Sequence, residues 1–172
     1  MKNVGYNNNV AIIGANSPAG LQIAMAIGKA YRLLLMDEDV HTTAALVKSI
    51  VQTTQSPEGV EILTCSKDAS WEADAIVLAV PAQQQPIVAQ KIAEVTTGKT
   101  IIQIIAPGNS AVSIQSLLPH SPIVRVTLQD TSTHTNAIVE GHNKWALQLA
   151  LHLLSFTEWT IIEKATTIDL KK

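Results

Sequence analysis

The residues with the clearest chemical purpose lie between Val10 and Asp37. Val10-Ala11-Ile12-Ile13 is a short apolar run, Gly14-Ala15-Asn16-Ser17-Pro18-Ala19-Gly20 is a turn, and Leu21 to Ala30 is apolar at helical spacing. Leu33-Leu34-Leu35-Met36 then leads into Asp37. A strand, a tight turn, a helix and a second strand ending in an acid are the parts that hold a nicotinamide or flavin dinucleotide. The turn lets backbone approach a pyrophosphate, the helix N-terminus points at it, and the acid takes a ribose hydroxyl.

Two spacings fit the turn. As GxGxxG/A the positions are Gly14, Asn16 and Ala19, and Asn16 keeps access to positive φ while placing a side chain in the pyrophosphate path. As GxxGxxG they are Gly14, Ser17 and Gly20, with serine in the middle. Ser17-Pro18 also suits a helix start, Ser17 as N-cap and Pro18 at the first helical position, which leaves the amides of Ala19 and Gly20 for an anion. The competing reading is that Ser17 caps its own helix and nothing binds. Asp37, with Glu38 and Asp39 beside it, would repel a 2′-phosphate, so NAD is favoured over NADP. The same acids also suit a solvated turn and the first turn of a helix.

These parts must be positioned by a sheet. Val60 to Thr64, Asp74 to Val80, Thr100 to Ile105, Val124 to Val126, Asn136 to Glu140 and Trp159 to Ile162 read as strands. Val40 to Val51, Ile87 to Val95, Val112 to Leu118 and Lys144 to Phe156 read as helices between them. Near-continuous apolar strands alternating with helices predict an α/β fold, a doubly wound, mostly parallel sheet in three layers, α/β/α. Residues 1–172 make one domain, with 1–8 and 164–172 expected to be flexible.

Composition narrows the function classes. A net charge of -2 gives no electrostatic footprint for nucleic acid or an anionic membrane. Cys65 is the single cysteine, which excludes an intrachain disulfide and a CxxC site. No run is long enough for a membrane span, and Met1 to Asn9 lacks the apolar core of a secretion signal, so a cytoplasmic setting is expected. The histidines are scattered without HxH or HxxxH spacing, so no metal site is expected.

The stretch Ala73-Asp74-Ala75-Ile76-Val77-Leu78-Ala79-Val80-Pro81, followed by Gln83 and Gln84, resembles a segment of the pyrroline-5-carboxylate reductases. Lys99 to Ile105, Gly108 to Leu118 and Ile123-Val124-Arg125-Val126 are similar to that family's next strand, glycine turn, short helix and strand. The domain is shared with deazaflavin (factor-420)-dependent NADP oxidoreductases, prephenate dehydrogenases and hydroxyacid dehydrogenases. The resemblance covers Val10 to Ile162 and implies a Rossmann-type NAD(P)-binding domain. It implies that Gly14 to Gly20 hold the pyrophosphate and Asp37 the adenine ribose. Ala79-Val80-Pro81 would lie along the cofactor, and Ala106-Pro107-Gly108-Asn109 would flank the nicotinamide. His134 resembles a prephenate dehydrogenase histidine and would bind or protonate substrate, beside Ser132 or Asn109.

This chain departs from the family in three places. It has Thr127-Leu128-Gln129 where the pyrroline enzymes carry Met-Pro-Asn, it lacks the middle glycine, and its 172 residues do not reach the helical second domain that completes their site. Two functions follow as expectations. One is an NAD(P)-dependent oxidoreductase, acting on a small imine, hydroxyacid or deazaflavin, with a site completed by a homodimer mate or a helical partner chain. The other is an inactive nucleotide-sensing or scaffold module. The wide apolar stripe of Lys144 to Phe156, with Trp145, Leu149, Leu153 and Phe156 facing the sheet, leans toward a dimer.

Overall fold

The computed structural model describes residues 9–54 and 59–164. The elements run β1 (Asn9–Ile13), α1 (Pro18–Ile27), β2 (Arg32–Met36), α2 (Val40–Thr54), β3 (Val60–Ile62), α3 (Ser66–Glu72), β4 (Ala75–Leu78), α4 (Gln85–Ile92), β5 (Thr100–Ile105), β6 (Ile123–Asp130), β7 (Thr135–Gly141), α5 (Lys144–Leu154) and β8 (Thr160–Glu163). The sheet order is β3-β2-β1-β4-β5-β6-β7-β8. β1 to β6 are parallel, β7 pairs antiparallel with β6, and β8 is parallel to β7. The fold is therefore the doubly wound, mostly parallel α/β sheet that the apolar strands predict.

Alternation along the strands builds the three layers. Val10, Ile12, Leu33, Leu35, Val77 and Ile102 join a core with α1, α2 and α5, whereas Ala11, Ile13, Leu34, Ile76, Leu78 and Ile101 join a second core with α3 and α4. Each central strand is thus apolar on both faces, which is why it shows no period of two in sequence. The chain reverses its winding between β1 and β4, and at their carboxyl ends a crevice must open.

Two expectations are corrected, and one helix is added. Val112 to Leu118 is not a helix: the Val112 carbonyl accepts from Gln103 Nε2, Leu118 N–H returns to Ile114 O in one turn, and Pro119 follows. Helix α3 falls in a stretch to which the sequence pattern assigns no element. On α5 the sheet-facing residues are Ala146, Ala150, Leu153 and Leu154, while Trp145 is 77% exposed. The expected flexible ends, 1–8 and 165–172, lie outside the described residues; Lys164 is placed and pairs with Glu140. Among the described residues no helix is long and apolar enough to cross a membrane.

Two glycines fix how tightly α1 sits on β1. Gly14 has φ +89°, and a Cβ there would lie 2.6 Å from Val80 N. A Cβ on Gly20 would lie 2.2 Å from Gly14 O, so the helix can approach the turn only without one. Gly20→Ala is expected to lower the unfolding free energy by about 1–3 kcal/mol through overpacking against backbone. A denaturation midpoint that falls at unchanged slope checks this, and an unchanged midpoint refutes the tight approach.

Candidate functional site

The turn between β1 and α1 satisfies most of its own amides. Gly14 N and Ala15 N both donate to Met36 O, at 2.9 and 3.2 Å, and Asn16 N donates to Asp37 Oδ2 at 2.9 Å. Ser17 N donates to Gly14 O at 3.1 Å, and Pro18 has no N–H. Ser17 is the N-cap: its Oγ donates to Gly14 O and accepts from Gly20 N at 3.0 Å. The Gly20 amide, expected to be available to an anion, is therefore taken. Among the described residues of the first helical turn, only the Ala19 amide has no hydrogen-bond partner in the chain.

Asn16 is drawn sideways. Its Nδ2 donates to Asp39 O at 2.9 Å and its Oδ1 accepts from Thr43 Oγ1, tying the turn to the start of α2. Asp39 itself holds the N-terminus of α2: the hydroxyl and amide of Thr42 both donate to it and hold its carboxyl below the usual carboxylate range. Asp37, half-buried at the end of β2, accepts from Asn16 N through Oδ2 and from Asp39 N, at 3.4 Å, through Oδ1, and the two oxygens keep lone pairs for a further donor.

Two clefts flank this turn at the carboxyl ends of the central strands. One, of about 370 Å³, is lined by Gly14, Asn16, Asp37, Glu38 and Lys91. The other, of about 290 Å³, is lined by Pro18, Ala19, Gln22, Ala106, Pro107, Asn109, Asp130, Thr135 and Trp159. Both include Ser17, Ala79, Val80 and Pro81, so they meet along the end of β4. Gly20 and Gly108 line neither. Gly20 is buried beneath the turn, and Gly108, at φ +75°, shapes the 106–109 loop.

A pair of buried glutamines that sequence reasoning passed over holds the cleft walls. Gln103 Nε2 donates to Gln85 Oε1 at 2.7 Å, and Gln85 Nε2 donates to Ile104 O and Val80 O. Gln103 Nε2 also reaches Val112 O. The signal was a lone polar residue in Ile101-Ile102-Gln103-Ile104-Ile105, since such a residue in a buried strand must find partners. Across the second cleft, Trp159 Nε1 donates to Gln22 Oε1 at 2.6 Å, pinning the segment before β8 to α1.

The candidate acid–base residues separate. His134 sits in the exposed β6–β7 hairpin, its Nδ1 2.8 Å from Thr133 Oγ1, and lines a neighbouring hollow with Leu21, Met25, Phe156 and Trp159. Ser132 lies in the same hairpin. The titratable side chain in the second cleft is Asp130, another residue not anticipated, whose Oδ1 accepts from Thr135 Oγ1 at 2.7 Å. Lys99 is structural: its Nζ donates to Ser70 O and Trp71 O at the end of α3, and burial pushes its pKa down. Among the described residues no group of three or more His, Cys, Asp or Glu could hold a metal ion.

No protein-family model matches this sequence, and no curated protein matches it. Solved structures do. A pyrroline-5-carboxylate reductase from Coxiella burnetii superposes with a TM-score of 0.74 at 18% identity, covering 95% of this chain and 60% of that one. The chain has the Rossmann-type fold. A UDP-glucose dehydrogenase from Pyrobaculum islandicum gives a TM-score of 0.72 at 9% identity, over 95% of this chain and 47% of that one. A Plasmodium falciparum pyrroline carboxylate reductase with NADP bound gives 0.67 at 14%, over 92% and 58%. The chain thus spans about three fifths or less of each of these structures.

The buried amides give a test of the walls. Gln85→Leu removes the acceptor for Gln103 and the donor for the Val80 and Ile104 carbonyls, and is expected to cost about 1–3 kcal/mol for the buried groups left unpaired. Thermal unfolding should show the loss, and amide hydrogen exchange should quicken at Val80 to Gln84. Unaltered exchange there would mean the glutamine pair does not hold the loop.

Proposed function

We propose that this Rossmann-type domain binds a nicotinamide dinucleotide across the two clefts and belongs to an NAD(P)-dependent oxidoreductase. The observation that carries the reading is the meeting of the two clefts at the β1/β4 switch point, on either side of a capped helix N-terminus. The residues present fit such a group: Asp37 retains acceptor capacity where an adenine ribose would lie, and the free Ala19 amide faces no competing partner. Gly14, Asn16, Ser17, Pro18, Ala19 and Gly20 would form the pyrophosphate turn. Ala79, Val80 and Pro81 would run along the cofactor, and Ala106, Pro107, Gly108 and Asn109 would flank its nicotinamide. When bound, the cofactor supplies the hydride. The chain would supply position and a proton, from Asp130 in the cleft or from His134 beside it.

Asp37 and Glu38 line the first cleft, and their charge favours NAD over NADP. The substrate would be a small imine, hydroxyacid or deazaflavin, its site completed by a second copy or a helical partner seated against the exposed Leu21 and Phe156 beside the second cleft. The setting in this reading is cytoplasmic. The second reading, a nucleotide-sensing or scaffold module without catalysis, is favoured by one observation: the turn spends nearly all its amides on itself.

Titration with NADH and NADPH tests the proposal, with Trp159 in the second cleft as a fluorescent reporter. NADH should bind more tightly than NADPH, and Asp37→Ala should weaken NADH by about tenfold or more, the worth of a charged hydrogen bond. No stabilisation in thermal unfolding by either nucleotide at millimolar concentration would refute dinucleotide binding. Binding without turnover of imines, hydroxyacids or a deazaflavin would leave the sensing module.

A further inference from the structure

A hollow of about 410 Å³ lies away from both clefts and shares no lining residue with them. Its floor is a row of register partners across three strands: Gln103 on β5 faces Arg125 on β6, which faces Glu140 on β7. Such partners stand side by side on one face of the sheet. The row is unevenly paired. Lys164 Nζ lies 2.6 Å from Glu140 Oε1, while Arg125 Nη1 is 3.8 Å from Glu140 Oε2, beyond hydrogen-bond reach. Arg125 Nε is buried and has no hydrogen-bond partner.

A guanidinium that lines a hollow with its Nη end exposed and no hydrogen bond to any described residue is an incomplete arrangement. Glu140 has settled on Lys164, and two cations face one carboxylate. The missing partner is an anion with two parallel acceptor oxygens, the geometry of a carboxylate. Glu140 lining the same hollow disfavours a dianion such as phosphate. Ile114 and Ile123 supply apolar wall for a hydrocarbon portion. We propose that this hollow binds a small organic monocarboxylate, held through the two Nη nitrogens of Arg125 with its apolar part against Ile114 and Ile123. The site is independent of whether a dinucleotide binds at the switch point.

Calorimetry and amide chemical-shift mapping of the full chain with butyrate and benzoate, at ionic strength matched with sodium chloride, test it. Saturable binding with shifts at Gln103, Arg125 and Glu140 is expected. Arg125→Gln should weaken it by about tenfold or more, as loss of a charge-assisted bidentate contact does. Glu140→Gln, which removes the repelling charge and releases Lys164, should tighten it; this variant keeps the test intact if Arg125→Gln does not fold. No saturable binding at tens of millimolar, equal binding by Arg125→Gln, weaker binding by Glu140→Gln, or inorganic phosphate binding more tightly than butyrate would each overturn the proposal.

Discussion

The end of β1 comes so close to the end of β4, and α1 so close to β1, that no side chain fits between them, and the geometry of the candidate site descends from that approach. Gly14 would collide with Val80 N, and Gly20 with Gly14 O, if either carried a Cβ. Because both are glycine, the turn drops into the groove between the strands, and Ser17 can reach Gly14 O and Gly20 N together. The two clefts share Ala79, Val80 and Pro81 for the same reason: the β4 end that Gly14 touches forms the wall between them. Lengthening the contact would separate the clefts as well as loosen the helix.

The same contact decides between the two glycine spacings. Gly14 and Gly20 are the positions that require glycine, which favours the spacing that ends on Gly20, where the missing Cβ allows close helix–strand packing. The middle position then falls on Ser17, and the serine acts as a cap. Asn16, which the other spacing places on the pyrophosphate path, is instead held by Asp39 and Thr43 at the start of α2. Sequence could show that a glycine was missing, but which residue stood in for it depended on partners from α2, far along the chain.

The central strands β1, β2, β4 and β5 were readable because each is a mostly aliphatic run buried on both faces, a pattern that needs no knowledge of neighbours. Elements set by one or two partners were not. Ile114 and Leu118 have helical spacing, yet they serve a single turn whose carbonyl at Val112 is claimed by Gln103. Helix α3 is short and polar, and is held at its C-terminal end by Lys99 from the far side of α4. On α5 every face carries apolar residues, so the sequence could not select the buried one. The sheet takes Ala146 and Ala150, whose small side chains allow close approach, and leaves Trp145 outside. Within the site, the turn, Asp37 and the loops after β4 and β5 were legible as types, whereas Asp130, Gln85 and Gln22 enter through the hairpin, a buried amide pair and a long-range contact with Trp159.

A turn that spends its amides internally has a definite energetic meaning. An anion held by free N–H groups gains charge-assisted hydrogen bonds and the helix field together. Here the hydrogen bonds from Gly14, Ala15, Asn16, Ser17 and Gly20 are already made within the chain, so an anion would keep the field of α1 and one amide, that of Ala19. The arrangement makes the turn rigid without a ligand. In the proposed binding mode, affinity for a dinucleotide would then come mainly from the walls, from the acceptor at Asp37 and from the apolar surface of Ala79 to Ala82 and Pro107. Selectivity in the proposed mode would rest with the two ends of the cofactor more than with its pyrophosphate. The Gln85–Gln103 pair, which ties the loops after β4 and β5 to each other, would then decide how firmly those ends are gripped.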